Sequence, residues 1–488
     1  MKNTVLIFVF LIFCFCNNTK EHKAANKDPN IVLIFMDDLG YGDLTNFGAV
    51  DYQMPNLDKL ANQGMTFTNF YSAQAVCSAS RAGLLTGCYP NRIGISGALF
   101  PQSKIGLNKD EVTIAELLKE KGYSTAIFGK WHLGHQEKFL PLNHGFDTYL
   151  GIPYSNDMWP VDYDGNQILD ESNWKKKNYP QLPLIKDFKK IDEIRDLKGQ
   201  AKLTTLYTEE SVEFINKNSD KPFFLYVPHS MPHVPIAVSE KFEGKSKQGL
   251  YGDLMMEIDW SVGEIIKTLK ENNIEDNTLV VFTSDNGPWL NYGNHAGSSG
   301  GLREGKGTSF EGGQRVPTIM KWPNTITPGS ISNKMASTID LFPTIANLVS
   351  GKLPEHKIDG VDITSILRGE KESNPRNHFY YYYGKNNLEA VRKDNWKLVL
   401  PHKSRSYKNV LPGNDGHPGP YSQIQVEYSL YDLRRDPGEE YDVKDLYPKV
   451  VDELEKLVEK AREDLGDNLT GRVGKNNREP GSVDLNVD

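Results

Sequence analysis

Residues 31–40 read Ile-Val-Leu-Ile-Phe-Met-Asp-Asp-Leu-Gly, in which six apolar side chains are followed at once by two carboxylates. A continuous apolar run of this length is typical of a strand that is buried on both faces of a parallel sheet. The polar residues that follow mark the point where the strand leaves the core. This stretch therefore predicts a β-strand over 31–36, with Asp37 and Asp38 at its carboxyl end.

Three further apolar segments end in the same way. They predict strands over 123–128, 222–227 and 278–283, and the loops that follow them read Gly129-Lys130-Trp131-His132, His229-Ser-Met-Pro-His233 and Ser284-Asp285-Asn286-Gly287. Amphipathic patterns with helix start and stop signals predict helices over 55–63, 110–121, 203–216, 250–271 and 450–465. Alternating strands and helices indicate an α/β fold, a large mostly parallel or mixed central sheet sandwiched by helices. Ligands of such sheets bind beyond the carboxyl ends of the strands, where these loops would meet.

The chain divides into a large domain and a smaller one. Beyond about residue 375, short segments rich in tyrosine and valine indicate antiparallel strands packed by a helix, a C-terminal α+β subdomain over 376–466. We expect the catalytic domain to cover 30–375, with an irregular insertion at 154–200, and a loose tail at 467–488. Residues 1–16 are predicted to be a signal peptide and 17–29 a linker.

The N-terminus indicates export. Lys2 precedes an apolar run, Val5 to Cys16, and polar residues follow it. This is the form of a secretory signal, and the run is too short to span a bilayer as a helix. We expect a periplasmic, outer-membrane-anchored or secreted protein of a Gram-negative bacterium. Cleavage before a lipidated Cys16, which would be its only link to a membrane, and ordinary cleavage a few residues later both remain open.

Composition excludes several classes of protein. Of the 488 residues 38% are hydrophobic and 25% charged, which excludes global disorder. The formal net charge is −8, from 56 basic and 64 acidic residues, and a nucleic-acid-binding protein would normally be basic. Only Cys77 and Cys88 lie beyond the signal, so an exported chain of this length has no disulfide framework. We expect Cys88 to pack in the core.

The strand-end loops offer oxygen ligands. Asp37, Asp38, Asp285 and Asn286 provide only carboxylate and amide oxygens, which suit Ca²⁺ or, less well, Mg²⁺. The alternative is that they are ordinary turn and cap residues. Cys77 precedes small residues and a helical stretch, so it would lie near a helix N-terminus, where an anionic side chain is favoured. The alternative for Cys77 is a buried free cysteine.

Taken together, these segments resemble the type I sulfatases of the alkaline-phosphatase-like superfamily. Cys-x-Ala-x-Arg at 77–81, followed by Gly-Leu-Leu-Thr-Gly at 83–87, is similar to the signature of that family. Further segments similar to motifs of the family occur in family order over about 400 residues. They lie at 37–43, before the signature, and at 129–134, 232–235, 283–287, 305–313 and 430–439, after it.

The resemblance implies a mechanism with named residues. Cys77 would be oxidised to formylglycine, whose hydrated diol attacks the sulfur of a sulfate ester and expels the alcohol. One Ca²⁺ would be held by Asp37, Asp38, residue 77, Asp285 and Asn286. The residues expected to orient the diol, neutralise the sulfate or protonate the leaving group are Arg81, His132, Lys130, Lys306 and His233. His295 could touch the substrate, and His229 would be a structural neighbour.

Ala79 is a departure from the pattern, because many members of the family have proline there. Alanine at this position favours maturation by a formylglycine-generating enzyme of the radical type and leaves open which maturase acts. The expected substrate is a sulfated carbohydrate, from an algal polysaccharide such as ulvan or carrageenan, with Trp131, Trp159 and Trp289 as walls for sugar stacking. The alternatives are a glycosaminoglycan sulfatase, a phosphate or phosphonate ester hydrolase of the same superfamily, and an inactive carbohydrate-binding protein if Cys77 is not matured.

Overall fold

A ten-stranded mixed sheet forms the centre of the molecule. The structure, a computed structural model, describes residues 28–168 and 174–483, so the predicted signal peptide, almost all of the linker and the last five residues lie outside the described part. The strands of this sheet are β1 Asn30–Met36, β2 Met65–Phe67, β3 Ser124–Lys130, β4 Thr148–Ile152, β5 Leu182–Lys186, β6 Lys189–Ile194, β7 Phe223–Pro228, β8 Thr278–Ser284, β9 Thr318–Lys321 and β10 Ser330–Ser332.

The strand order across this sheet is β10-β2-β9-β8-β1-β7-β3-β4-β5-β6. The five central strands, from β8 to β4, run parallel to one another, whereas β9 is antiparallel to its neighbours, and β5 and β6 form an antiparallel hairpin at one edge. Residues 31–36 of β1 are at most 1% exposed. The predicted α/β fold with a mixed sheet is therefore confirmed.

Helices cover both faces of the sheet, and two apolar cores fill the layers between. Alternate residues of β1 point to opposite sides, so that Val32 and Ile34 belong to one core and Ile31 and Leu33 to the other. The helices of seven residues or more are α1 Pro55–Asn62, α2 Cys77–Thr86, α3 Ile114–Glu120, α4 Leu203–Lys217, α5 Leu250–Glu271, α6 Leu341–Leu348 and α7 Pro448–Leu465. Helices α4 and α5 pack on the first core, and α2, α3 and α6 on the second.

The C-terminal subdomain has its own sheet and core. Four antiparallel strands form this sheet in chain order, and α7 packs on it. They are His378–Tyr383, Asn387–Lys393, Trp396–Val399 and Ser429–Asp432. A separate hairpin, His402–Ser406 with Ser422–Val426, extends from this subdomain.

The predicted helix over 110–121 begins later than expected. Thr113 is its N-cap: its hydroxyl accepts a hydrogen bond from Glu116 N at 3.1 Å, and the Glu116 carboxylate accepts one from Thr113 N at 2.8 Å. This reciprocal pair is a capping box, which fixes the helix start at Ile114. The Thr-x-x-Glu spacing was present in the sequence and would have located the boundary.

Two segments predicted to be irregular are ordered. The insertion at 154–200 contains the β5–β6 hairpin, so the prediction of an irregular insertion is wrong for that part. The described part of the tail is not loose either. Gly481–Ser482 pairs with Ile105–Gly106, and Arg478 forms an ion pair with Glu111 at 2.6 Å. Between 28 and 483, leaving aside 169–173, no helix has both the length and the apolar character that a bilayer crossing requires.

Candidate active site

The carboxyl ends of four parallel strands bring the predicted polar loops together. Asp37 and Asp38 follow β1, Lys130 ends β3, His233 follows β7, and Asp285 follows β8. All five side chains are buried, at most 4% exposed. The charges of ionisable side chains that are buried this close together have to neutralise one another. This edge of the sheet is therefore a candidate site rather than a set of independent turns.

Cys77 lies at the centre of this group, as the first residue of α2. Its Sγ is 3.4 Å from Asp37 Oδ1 and 3.3 Å from Lys306 Nζ. Burial raises the pKa of the thiol, and Asp37 raises it further, so the group stays protonated. A thiol gains little from a position between a carboxylate and an ammonium group, whereas a side chain that carries oxygen could hydrogen-bond to both.

Arg81 lies one turn further along α2 and joins two strand ends. Its Nε and Nη2 donate to Asp285 Oδ2 at 3.1 and 2.8 Å, Nη1 donates to the Lys130 carbonyl at 2.8 Å, and Nη2 is 3.3 Å from Asp37 Oδ2. Burial alone would raise the pKa of Asp37, but Lys130 and Arg81 outweigh it and hold that pKa well below its ordinary value. Asp37 is therefore a carboxylate.

A second set of contacts surrounds Asp38. Lys306 Nζ is 2.8 Å from Asp38 Oδ1, and His233 Nε2 is 3.6 Å from Asp38 Oδ2. Burial, and then the charge of Lys306, lowers the pKa of His233. Asn286 Nδ2 donates to Asp38 Oδ1 at 2.7 Å. Lys306 comes from the loop before Phe310, so a segment remote from the four strands contributes a cation to the site.

The donor set fits a hard divalent cation. Asp37, Asp38, Cys77 and His233 each offer one ligand atom within 4.8 Å of the others. Asn286 Oδ1 is buried and has no hydrogen-bond partner among the described residues, which is costly for an amide oxygen unless a cation or donor faces it. Asp285, which was predicted as a ligand, accepts from Arg81 through Oδ2 and from Asp38 N through Oδ1 at 3.1 Å. Oxygen predominates in this set, as Ca²⁺ or Mg²⁺ requires.

Backbone strain marks two positions of the site. Asp38 and His132 have φ values of +63° and +62°, a left-handed conformation that is uncommon for residues other than glycine. Such strain is concentrated at functional sites, where the surroundings enforce it. His132 Nε2 pairs with the Leu99 carbonyl at 2.8 Å, and its Nδ1 is buried without a partner in the part of the chain that the structure describes. Burial, together with Lys130, lowers the pKa of His132 well below its ordinary value, so the ring is neutral.

The sequence did not indicate the residues that support this cluster from the insertion. Ser155 Oγ accepts a hydrogen bond from Lys130 Nζ at 3.1 Å, and Asn156 Nδ2 donates to the His233 carbonyl at 3.2 Å. Neither residue lies in a motif. Their only signal is position, since they follow β4 at the same edge of the sheet as Lys130.

Two of the three tryptophans that were expected to form sugar-stacking walls are buried. Trp131 and Trp159 are 1% and 0% exposed, so neither ring can stack on a sugar. Trp131 instead packs against His144, with the ring centroids 5.8 Å apart. Trp289 is partly exposed and lies beside the site, with its ring 5.5 Å from that of His233 and 4.6 Å from Lys306 Nζ.

Three other residues considered from the sequence, His295, His229 and Cys88, contact other parts of the chain. His295 is partly exposed, and its Nδ1 is 3.4 Å from the position that a Cβ at Gly416 would occupy. His229 is buried, 3.3 Å from Ser261 Oγ of α5. Cys88 is fully buried, and Arg478 Nη2 lies 3.4 Å from its sulfur. The structure thus brings together the residues around Cys77 and places these three against other partners.

The chain is similar to known proteins over most of its length. The sulfatase family model matches residues 29–351, and a model described as the C-terminal region of N-sulphoglucosamine sulphohydrolase matches 305–464. N-acetylgalactosamine-6-sulfatase from Mus musculus is 39% identical over 446 residues, covering 86% of this chain and 82% of its own.

Two solved structures share the fold. The PsFucS1 sulfatase from Pseudoalteromonas sp. has a TM-score of 0.80 and 29% identity, with 89% of both chains covered. Ps i-CgsB, in complex with k-i-k-neocarrahexaose, has a TM-score of 0.72 and 28% identity, covering 89% of this chain and 92% of its own. The chain therefore belongs to the sulfatase family and is a sulfuric ester hydrolase.

Proposed function

We propose that this enzyme releases inorganic sulfate from sulfated carbohydrate, with formylglycine at position 77 and one Ca²⁺. The observation that carries the proposal is the convergence of Cys77 with Asp37 and Lys306 at 3.4 and 3.3 Å, beside the unpartnered Asn286 Oδ1. Formylglycine would supply a hydroxyl nucleophile through its hydrate. Ca²⁺, held by Asp37, Asp38, residue 77, Asp285 and Asn286, would polarise a sulfate oxygen.

The summed charge of the buried side chains around Cys77 supports the presence of formylglycine and Ca²⁺ together. Three buried carboxylates (Asp37, Asp38 and Asp285) face three buried cations (Arg81, Lys130 and Lys306), so the side chains alone are close to neutral. A divalent cation, a singly charged sulfate ester and one deprotonated hydroxyl also sum to zero. Loading the site therefore leaves no uncompensated charge in a buried place, where such a charge would be costly.

The protein's own side chains would perform the remaining tasks. Lys130 and Lys306 neutralise sulfate oxygens, and fixed cations in a site sheltered from water stabilise charge that develops during the reaction. His132 Nδ1 and Arg81 orient the nucleophile. His233, with Lys306 as the alternative, donates a proton to the departing alkoxide. His233 is buried, with its Nε2 3.6 Å from Asp38 Oδ2.

The proposed substrates are oligosaccharides from algal polysaccharides such as ulvan or carrageenan. Ps i-CgsB, which shares the fold, was solved with a neocarrahexaose, and this supports the choice. The alternative is a glycosaminoglycan, supported by the mouse relative, whose name specifies a sulfated amino sugar. We further propose that the chain is exported, either with a lipidated Cys16 or after ordinary signal cleavage a few residues later, and that Ala79 favours maturation by a radical-type formylglycine-generating enzyme.

Peptide mass spectrometry of protein purified from its native host tests the proposal. The peptide that contains residue 77 should show conversion of the thiol to an aldehyde. Release of sulfate from defined algal and glycosaminoglycan oligosaccharides should depend on this conversion and be absent in Cys77→Ala. An intact thiol in active enzyme would overturn the nucleophile assignment. Cys88→Ala is the matched control, since that cysteine lies outside the cluster and should be dispensable for turnover.

A further inference from the structure

The C-terminal subdomain reaches the loop that carries Lys306. Tyr407 Oη donates to the Lys306 carbonyl at 2.7 Å, and the Glu304 carboxylate accepts a hydrogen bond from Tyr407 N at 2.7 Å. Gly307, the residue after Lys306, has φ +82°, and a Cβ there would lie 3.0 Å from Arg405 Nη1 and 3.2 Å from Tyr383 Oη. The Arg405 guanidinium therefore packs directly against the backbone next to a residue of the active site.

Arg405 has an unusual set of neighbours. Its guanidinium lies 4.4 Å from the centroid of the Tyr421 ring, and Nη1 donates to Tyr407 Oη at 3.2 Å. Within 28–168 and 174–483, the contacts of the Arg405 guanidinium are with Tyr407, with Tyr421 and with the backbone at Gly307, and none of them is a carboxylate. The nearby carboxylate of Glu304 is already bonded to Tyr407 N and to Ser406 Oγ at 2.5 Å. The partners of this cation are thus neutral phenols.

A partly exposed arginine held by tyrosines suits the capture of an anion. The side chain is ordered in advance by stacking and by a hydrogen bond, so binding would cost little conformational entropy. Its donors form a planar fork that matches sulfate and carboxylate oxygens. Tyr383 lies at the same point of the loop: a Cβ on Gly307, the residue after Lys306, would be 3.0 Å from Arg405 Nη1 and 3.2 Å from Tyr383 Oη.

We infer that Arg405 binds a second anionic group of the substrate, a sulfate or a carboxylate on the same or the adjacent sugar, while the scissile sulfate lies between Cys77 and Lys306. Arg405 is then a specificity-determining residue, with Tyr421 and Tyr407 holding it in position. This inference rests on the proposed function, because it requires a sugar substrate. It narrows that substrate to carbohydrate that carries two or more negative charges.

The test compares two variants of the matured full-length enzyme, Arg405→Gln and Arg405→Lys. Each is measured by kcat/KM on three types of oligosaccharide: one with a single sulfate ester, one with a second sulfate, and one with a single sulfate beside a uronate. Arg434→Gln is the control, since its side chain is 62% exposed and pairs with Asp432 in the same subdomain. Thermal unfolding of each variant establishes that it is folded.

We expect the wild type to prefer one of the two dianionic substrates, and that substrate identifies the anion as sulfate or carboxylate. Arg405→Gln should reduce this preference about 10- to 100-fold, the usual cost of a charge-assisted hydrogen bond, mainly through KM. Arg405→Lys should retain part of it, and Arg434→Gln all of it. Equal losses on all three substrates, or no preference in the wild type, would overturn the inference and assign Arg405 to support of the Lys306 loop. Hydrolysis of 4-nitrophenyl sulfate without hydrolysis of any oligosaccharide would instead refute the proposed carbohydrate function.

Discussion

Asp285 Oδ2 accepts two hydrogen bonds from Arg81, from Nε at 3.1 Å and from Nη2 at 2.8 Å. Both side chains are fully buried, and the same guanidinium reaches Asp37 and the Lys130 carbonyl. One residue of α2 therefore fixes the ends of β1, β3 and β8 relative to each other. Because Cys77 begins the same helix, this contact also determines where residue 77 lies relative to the carboxylates.

Replacing Arg81 by lysine should disable the site without removing its charge. Lysine cannot donate to Asp285, Asp37 and the Lys130 carbonyl at once, since it lacks the planar fork. We expect kcat/KM for sulfate esters to fall at least about 100-fold, as for loss of a preorganised electrostatic group. Steady-state kinetics measures this. The control is Arg435→Lys, whose native side chain is 77% exposed and should tolerate the exchange. Full activity of Arg81→Lys would contradict the role in orientation.

Chelation of divalent cations should abolish turnover, and Ca²⁺ should restore it better than Mg²⁺. The oxygen-rich donor set suits Ca²⁺, and removal of the cation leaves Asn286 Oδ1 unpartnered. Asn286→Ala should raise the Ca²⁺ concentration that restores half of the activity, with thermal stability under saturating Ca²⁺ as a second measurement. Asn143→Ala, on an exposed side chain, is the comparison. If chelated and dialysed enzyme kept its activity, the metal assignment would fail.

The sequence was informative where a strand end and a motif coincide. The run before Asp37 predicted both the buried strand and the position of its carboxylates, because a strand buried on both faces has to be apolar throughout. Placement of the loops at one sheet edge follows from the parallel topology, so Lys130, His233 and Asp285 could be grouped before any coordinates. Lys306 could be added only through the resemblance to a family, since no strand ends there.

What could not be predicted depends on contacts between remote segments. Trp131 follows a site lysine, yet it turns inward to donate from Nε1 to the Phe139 carbonyl at 2.7 Å, and no local pattern distinguishes that from an exposed wall. Ser155 contacts Lys130 from an insertion, and Arg405 packs beside Gly307 from the second subdomain. Their roles come from tertiary packing, which propensity and periodicity do not encode.

Loss of the N-cap of α3 should destabilise the protein modestly. Thr113→Ala removes the acceptor for Glu116 N and the hydrogen bond from Thr113 Oγ to the His144 carbonyl at 2.9 Å. We expect the free energy of unfolding to fall by about 1–2 kcal/mol. Urea denaturation measures the change. Thr113→Ser keeps the hydroxyl and should lose less than half as much. Equal stability of Thr113→Ala and the wild type would refute the capping role.

Glu311 connects the loop of Lys306 to the C-terminal subdomain, and its replacement should reduce stability in a pH-dependent way. Burial alone would raise its pKa, but Lys397, Arg392 and Arg315 outweigh it and lower the pKa to about 2. Because the folded form holds the proton more weakly than the unfolded chain, the carboxylate stabilises the fold above about pH 4. This contribution disappears as the pH falls from there towards 2.

Glu311→Gln should therefore lower the free energy of unfolding at pH 7 by about 3–5 kcal/mol, because it leaves the buried Lys397 ammonium and its neighbours less well compensated. Urea denaturation at pH 7, 5, 4 and 3 should show a constant difference from the wild type down to about pH 4 and a narrowing one below it. Glu355→Gln, whose side chain is 90% exposed, should match the wild type at every pH. A difference that stayed unchanged down to pH 3 would mean that packing, rather than the charge of Glu311, holds the two parts of the chain together.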